Sequence, residues 1–433
     1  MRFRAIEVAV ATGGRLVGPD VELDGVSFDS RSVAPGQLFV PLVAERDGHE
    51  FIVDALARGA GAYLTARPVG PSGTAVEVPD TLQALMALGA AMRRGRFPGR
   101  VVGITGSVGK TSTKDLAVAA IGASRPVHAN ERSFNNDQGL PTTILATPPE
   151  ATVLVVEMGM RGPGEIARLC AIAAPQVGVV TRVAEAHSEL AGGIDGVARA
   201  KGELIEALPP EGTAILNADD PRVRAMTARS AAAVLTYGEA ADADVRIAGV
   251  TLDDLARPSF TVSTPWGAVD VRLGVSGRHM VSNAAAALAI TGAVGADLDA
   301  GAAALATAGL SPMRMELVRT ASGGLIVEDC YNANPTSMRA ALATLADLPA
   351  TRRRALLGLM AEISDSPAEH RAIRTEAERL GIEVLAVDTD LYGVEPVDDP
   401  AAAVGPLAGG DALLVKGSRV VGLERWVAVL QAM

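Results

Sequence analysis

The segment Gly103-Ile104-Thr105-Gly106-Ser107-Val108-Gly109-Lys110-Thr111-Ser112 has the residue types of a phosphate-binding loop. Glycines let backbone N–H groups converge on phosphate oxygens, and a helix opening behind them adds its positive end. In such a loop Lys110 reaches the outer phosphates and the Thr111 hydroxyl binds Mg²⁺. The strict GxxxxGK[ST] spacing calls for glycine at 104, where this chain has Ile104, its first glycine lying one residue earlier. A loop of this kind specifies a nucleoside triphosphate and leaves motor, switch, kinase and ligase open. Three more side chains bear on the question. Glu157 ends the apolar strand LVVEMG, at the edge where ligands of parallel sheets bind, and is either a Mg²⁺ ligand or a solvated strand end. His187, one of five histidines, follows the strand VGVVT as a metal or catalytic candidate or a capping residue. Lys201 lies in the helical pattern ARAKGELIEAL; as an ammonium it would repel a metal rather than bind one.

These side chains need a sheet to hold them. VVGITG (101–106), TVLVVEM (152–158), VGVVT (177–181) and TAILN (213–217) are short apolar strands separated by helix-length segments, the pattern of a parallel α/β sheet. Residues 1–97 read as a small α/β unit ending near Phe97-Pro98. Between 245 and 275 the pattern turns to alternating β stretches, SFTVST and AVDVRL, followed by a helical run over 279–308. A third βα series comprises GLIVED (324–329), RRALLGL (353–359), IEVLAV (382–387) and DALLVK (411–416). The expectation is three domains, 1–98, 99–310 and 311–433.

Composition agrees and excludes. The 433 residues are 48% hydrophobic but only 3% aromatic, so the cores rest on close helix–strand packing with small side chains. A net charge of −11 with no basic stretch argues against a nonspecific nucleic-acid binder. The opening MRFRAIEVAVATGG lacks the apolar run of a signal peptide, and no run of about 20 apolar residues predicts a membrane span. Cys170 and Cys330 form no CxxC pair, which suits a reducing interior. A cytoplasmic monomer without membrane insertion is expected.

Taken in order, the motifs resemble those of the Mur ligase family, which builds the peptide stem of bacterial cell-wall precursors. The likeness runs through Asp29-Ser30-Arg31 with PGQLFVPL, Asp47-Gly48-His49-Glu50-Phe51, TGSVGKTSTK, Asn135-Asn136-Asp137-Gln138-Gly139-Leu140-Pro141, Glu157-Met158-Gly159, Ala186-His187-Ser188-Glu189 and Ala200-Lys201-Gly202-Glu203-Leu204. It implies an N-terminal domain binding the uridine nucleotide (Ser30, Arg31, Asp47, Gly48 and His49, with Asn135 and Asn136), a central P-loop ATPase domain and a C-terminal Rossmann-like domain. It implies two Mg²⁺ sites and a carbamylated Lys201, which turns the misplaced cation into an anionic metal support. It assigns Asn283 to adenine, and Arg314 and Asp329 to phosphate and ribose. Asp329-Cys330-Tyr331-Asn332-Ala333-Asn334-Pro335 and Lys416-Gly417-Ser418-Arg419, with Glu424, resemble the member that joins D-Ala-D-Ala to UDP-N-acetylmuramoyl-tripeptide (UDP-MurNAc-tripeptide). Two positions depart from the family: Met280 stands for a usual Asn, and Leu359 for a usual Asp.

A carboxylate is inert to amines because oxide would have to leave. ATP converts it to an acyl phosphate, whose leaving group is phosphate, while cations spread the transferred charge. A dipeptide amine needs an anchor for its own carboxylate. Asn332, Asn334 and Ser337 follow one βα strand, and Lys416, Ser418 and Arg419 another, so they can converge at one sheet edge. Arg419 is either a forked carboxylate clamp or the partner of Glu424. The rival readings are a folylpolyglutamate synthase of the same fold and a nucleotide-binding paralogue without ligase activity.

Overall fold

The computed structural model describes every residue except Pro71, Arg132, Ser133, 185–191, Glu362, Ser364 and Asp365. Its strands form three larger sheets and one strand pair, with helices between them. The α/β class is as expected.

The N-terminal sheet runs Arg15–Val17, Thr74–Glu77, Ala62–Thr65, Leu38–Phe39, Val26–Ser27, parallel except for the first pair. Arg2–Arg4 pairs antiparallel with Glu22–Asp24 beside it. Helix Thr81–Arg96 begins where Asp80 accepts hydrogen bonds from the N–H groups of Leu82 and Gln83, a standard N-cap. It packs on helices Gly139–Ala146 and Glu165–Ala173. Gly89 permits that approach, because a Cβ there would lie 2.6 Å from the Pro141 ring. Buried Arg93 locks the junction by donating to the carbonyls of Ala173 (2.9 Å) and Phe97 (2.8 Å).

The central sheet has nine strands in the order Gly267–Arg272, Pro258–Thr264, Val245–Leu252, Ala233–Gly238, Thr213–Asn217, Val177–Val180, Arg100–Thr105, Val153–Glu157, Val127–Ala129. The last seven are parallel, and VLVVE and VGVV are buried throughout, as strands covered on both faces must be. The alternating stretches read between 245 and 275 are strands Val245–Leu252, Pro258–Thr264 and Gly267–Arg272, which pair antiparallel with one another at the sheet's far edge. The chain leaves Arg100–Thr105 toward Val153–Glu157 on one side and later returns to Val177–Val180 on the other. This makes a topological switch point, with a crevice at the strands' carboxyl ends.

The expected single helical run over 279–308 is two helices, Met280–Ala293 and Leu298–Ala304, broken where Gly295 adopts φ +69°. The third sheet orders as Glu316–Arg319, Leu325–Glu328, Asp411–Lys416, Arg352–Leu357, Glu383–Ala386, with only the first pair antiparallel. Strands Val127–Ala129, Ala233–Gly238 and Glu316–Arg319 had not been expected. No helix among the described residues is long and apolar enough to cross a membrane.

Candidate active site

The phosphate loop leaves strand Arg100–Thr105 and ends at helix Lys110–Gly122. Gly109, at φ +85°, turns the chain into that helix; a Cβ there would meet the Asn283 carboxamide oxygen at 2.6 Å. Asn283, on helix Met280–Ala293, is thus placed against the loop, and its amide donates to the Met280 sulfur at 3.4 Å. Lys110 Nζ donates to the Gly106 carbonyl at 2.8 Å. The Ser107 hydroxyl donates to Ala184 O (2.8 Å) and accepts from Ala184 N (3.0 Å). Thr181 Oγ1 donates to Val108 O at 2.6 Å, so the loop is stitched to the segment leaving the neighbouring strand.

Glu157 ends the strand on the other side and is 2% exposed. The Thr111 hydroxyl donates to Oε2 at 2.6 Å, the Asn135 amide donates to Oε1 at 2.8 Å, and Glu157 N donates to Asn130 Oδ1 at 2.9 Å. Helix Gly193–Glu206 buries Lys201 near this carboxylate. Its ammonium has no hydrogen-bond or ion-pair partner among the described residues. Burial first, and the Lys110 charge second, push the Lys201 pKa well below the ordinary lysine value, against the pull of Glu157. Lys110 is also lowered, again mainly by burial. His187 lies outside the described residues.

These groups border a cleft of about 1360 Å³ between the central and C-terminal sheets. Arg314 enters from the C-terminal side, its guanidinium carbon 4.2 Å from the centre of the Tyr331 ring. Its two neighbours hold left-handed backbone, Met313 at φ +62° and Met315 at φ +50°, a strained pair that aims the arginine. Asp329 accepts from Lys416 Nζ at 2.5 Å and from Met315 N at 3.3 Å. His279 lines the same wall, and burial lowers its imidazole to about 4, opposed by Asp329 and assisted by Lys416.

The candidates for the amine substrate divide. Asn332, Asn334, Ser337 and Lys416 line the cleft. Asn334 is also the cap of helix Pro335–Asp347, accepting from Ser337 N at 2.9 Å while Ser337 Oγ accepts from Asn334 N at 3.1 Å. Lys416 is 1% exposed and bound to Asp329 and the Asn332 carbonyl. Ser418 is buried, with its hydroxyl accepting from Ala361 N at 2.8 Å. Arg419 is absent from the cleft lining and pairs with Glu424, one of the two arrangements its sequence left open.

The uridine candidates also divide. Asn135 and Asn136 border the cleft, and Asn136 Oδ1 accepts from Gly139 N at 3.0 Å. Ser30, Arg31, Asp47, Gly48 and His49 lie on the N-terminal unit, outside that lining. Arg31 forks onto Asp29 (2.9 and 2.7 Å). His49 pairs through Nδ1 with Asp47 at 2.6 Å and accepts from Ala66 N through Nε2 at 3.1 Å. The Phe28 ring sits 5.9 Å from that of Phe134, which brings the Asp29-Ser30-Arg31 segment alongside Asn135.

Sequence reasoning missed Asn217 and Asp220. Asn217 donates to Thr181 O at 2.8 Å, and Asp220 accepts from Val183 N at 2.9 Å, holding the segment that leads from Thr181. The signal was present in TAILNADD: polar residues at the carboxyl end of a parallel strand, the rule that had selected Glu157.

Comparison with known proteins agrees with this geometry. Residues 104–291 match the Mur ligase middle domain and residues 313–419 the Mur ligase, glutamate ligase domain. A UDP-N-acetylmuramoyl-tripeptide--D-alanyl-D-alanine ligase of Mycobacterium leprae is 39% identical over 94% of this chain and 92% of its own length. Among solved structures, MurF from Acinetobacter baumannii superposes with a TM-score of 0.90 at 29% identity, over 100% of this chain and 99% of that one. The MurF ligase of Thermotoga maritima, solved in complex with ADP, gives 0.83 at 28% identity over 94% and 97%. A relative so similar over nearly its whole length, with both domain matches in register with the phosphate cleft, makes this chain a member of the Mur ligase family.

Proposed function

We propose that this protein joins D-Ala-D-Ala to UDP-MurNAc-tripeptide at the expense of ATP, through an acyl phosphate. The observation that carries the reading is the meeting of Lys110, Thr111, Glu157 and buried Lys201 at the switch point, in a cleft whose far wall comes from the C-terminal sheet. The relatives with the same layout are named for that reaction. The units proposed are a uridine-nucleotide domain over 1–98, an ATP domain over 99–310 and an amine-substrate domain over 311–433.

The chain's own groups account for the steps. Gly106 to Ser112 present backbone N–H groups and Lys110 to the phosphates, and Arg314 approaches from the opposite wall. The Thr111 hydroxyl and Glu157 carboxylate are adjacent oxygens, which fits Mg²⁺, an ion that takes one or two protein oxygens and leaves the rest to phosphate and water. Among the described residues no group of three His, Cys, Asp or Glu gathers, and buried Lys201 near Glu157 is the side chain proposed to support a second Mg²⁺ as an anion. A lysine with a lowered pKa gives up its proton more readily, and its free amine attacks CO₂, forming an N–C bond and releasing a proton, to leave a carbamate. Mg²⁺, when bound, neutralises charge on the transferred phosphoryl group. Closure of the two walls over bound substrates would exclude the water that hydrolyses an acyl phosphate.

Phosphate release measured with ATP and each combination of the two other substrates tests this. Release is expected only with UDP-MurNAc-tripeptide and D-Ala-D-Ala together. Turnover with a folate and glutamate instead, or ATP binding without any turnover, would replace it with one of the rival readings.

A further inference from the structure

Asn135 resembles a ligand of the uridine substrate in sequence, yet its side chain is spent elsewhere. Its amide Nδ2 donates to Glu157 Oε1 at 2.8 Å, while Thr111 donates to Oε2 at 2.6 Å. The two oxygens of one carboxylate are therefore held by two different elements, which fixes the rotation of the carboxylate plane. Asn135 is itself fixed: its carbonyl accepts from Gly159 N at 2.8 Å. Its carboxamide lies flat across Gly159, where a Cβ would stand 2.8 Å from Cγ and Oδ1 and 3.0 Å from Nδ2. Gly159 has no positive φ, so the backbone does not demand glycine there; the close approach of Asn135 does. The preceding residue, Phe134, is 39% exposed and rests against Phe28 of the N-terminal unit. One dipeptide thus touches the N-terminal unit with one side chain and the metal-binding carboxylate with the next.

We propose that Asn135 is a positioning residue for Glu157, setting the orientation in which that carboxylate receives Mg²⁺·ATP, and that Gly159 is glycine in order to admit it. The inference rests on the reading of Glu157 and Thr111 as the Mg²⁺ site. A free glutamate rotates about its last torsion and samples many orientations, whereas this one is held from both oxygens. Losing the Asn135 hydrogen bond frees the rotation without removing any metal ligand, so metal affinity falls while the uridine-substrate site keeps its contacts.

The test uses the full chain and two variants that reach the same bond from opposite sides. Asn135→Ser is too short to span to Glu157. Gly159→Ala keeps the asparagine but pushes its carboxamide aside. Mn²⁺ binding is measured by loss of the free-ion electron paramagnetic resonance signal, in the presence of a non-hydrolysable ATP analogue. Binding of UDP-MurNAc-tripeptide is measured separately by calorimetry without nucleotide. Both variants should weaken Mn²⁺ binding about tenfold or more, the size of one lost charge-assisted hydrogen bond, and change the tripeptide affinity less than about threefold. Unchanged Mn²⁺ affinity in Gly159→Ala overturns the proposal, as does a variant pair that loses tripeptide binding while retaining Mn²⁺. Should the wild type bind no UDP-MurNAc-tripeptide at all, the substrate reading falls, and the Mn²⁺ titration still decides the role of Asn135.

Discussion

Replacing Lys416 with methionine separates a structural cation from a substrate anchor. Lys416 is 1% exposed, and its ammonium lies 2.5 Å from the Asp329 carboxylate, 2.9 Å from the Asn332 carbonyl and 3.3 Å from the Asp329 carbonyl. Methionine has nearly the same length and fills the same channel, so the change removes charge and donors with little loss of packing. It leaves the Asp329 carboxylate with one N–H, from Met315 at 3.3 Å, and leaves two carbonyls without their donor. Breaking a buried pair in this way costs about 3–5 kcal/mol. The Asp329 side chain is 15% exposed to the cleft, which lets water recover part of its solvation and places the expected loss near the lower end, roughly 3 kcal/mol. Adding Asp329→Asn to Lys416→Met removes the stranded charge and should return about half of that loss. Urea unfolding followed by Trp426 emission, in a Trp266→Phe background, is the assay. Trp426 packs on the cluster that contains Val415, next to Lys416, and Trp266 is the other of two tryptophans. A Lys416→Met loss below about 1 kcal/mol would refute the reasoning, for it would put Lys416 among weakly paired, solvated cations free to leave Asp329 for a substrate carboxylate.

Three further outcomes follow from the site. Lys201→Ala should be inactive and regain activity in formate or acetate, whose negative charge replaces the carbamate; wild-type activity of the variant in bicarbonate-free buffer would end that reading. His279 is lowered to about 4 from 6.5, so the unfolded chain takes up the proton first: the stability it carries is complete above about pH 6.5 and is lost as pH falls toward 4, at roughly 1.4 kcal/mol per unit. His279→Gln should flatten the acid limb of a stability–pH curve in that window, and an unaltered limb would contradict it. Arg419→Ala should leave the KM for D-Ala-D-Ala within about threefold, because Arg419 pairs with Glu424 away from the cleft lining; a rise of tenfold in KM alone would restore the clamp role.

The parts of this architecture written most plainly in the sequence are those under a local constraint. Strand TAILN and strand DALLVK end where their apolar runs end, because a parallel strand buried on both faces tolerates no polar interruption. The phosphate loop was legible for the same reason: glycine, lysine and threonine at that spacing have few other uses. Val127–Ala129 was not legible, since three residues at a sheet edge carry no periodicity. Lys416 and Asn135 show the deeper limit. Their types mark them as polar residues near a ligand, but whether each meets substrate or another side chain depends on contacts across 84 and 22 positions, which no local pattern records.

The helix Met280–Ala293 reads MVSNAAAALAITGA, and Ala284 through Ile290 are all fully buried. It packs along helix Lys110–Gly122, the element that carries Lys110 and Thr111 at its start. Side chains this small let the helix lie close against its neighbours, the helix behind the phosphate loop among them. A larger side chain at Ala284, Ala285, Ala286, Ala287 or Ala289 must push against whichever neighbour it faces, helix Lys110–Gly122 or the strands beneath, an overpacking of about 1–3 kcal/mol that reaches the loop where the helix is the neighbour. The tolerance of this chain to mutation is therefore narrow at a place that touches no phosphate. In a library of single variants scored for growth, this run of alanines should be as depleted of substitutions as the lysine it supports.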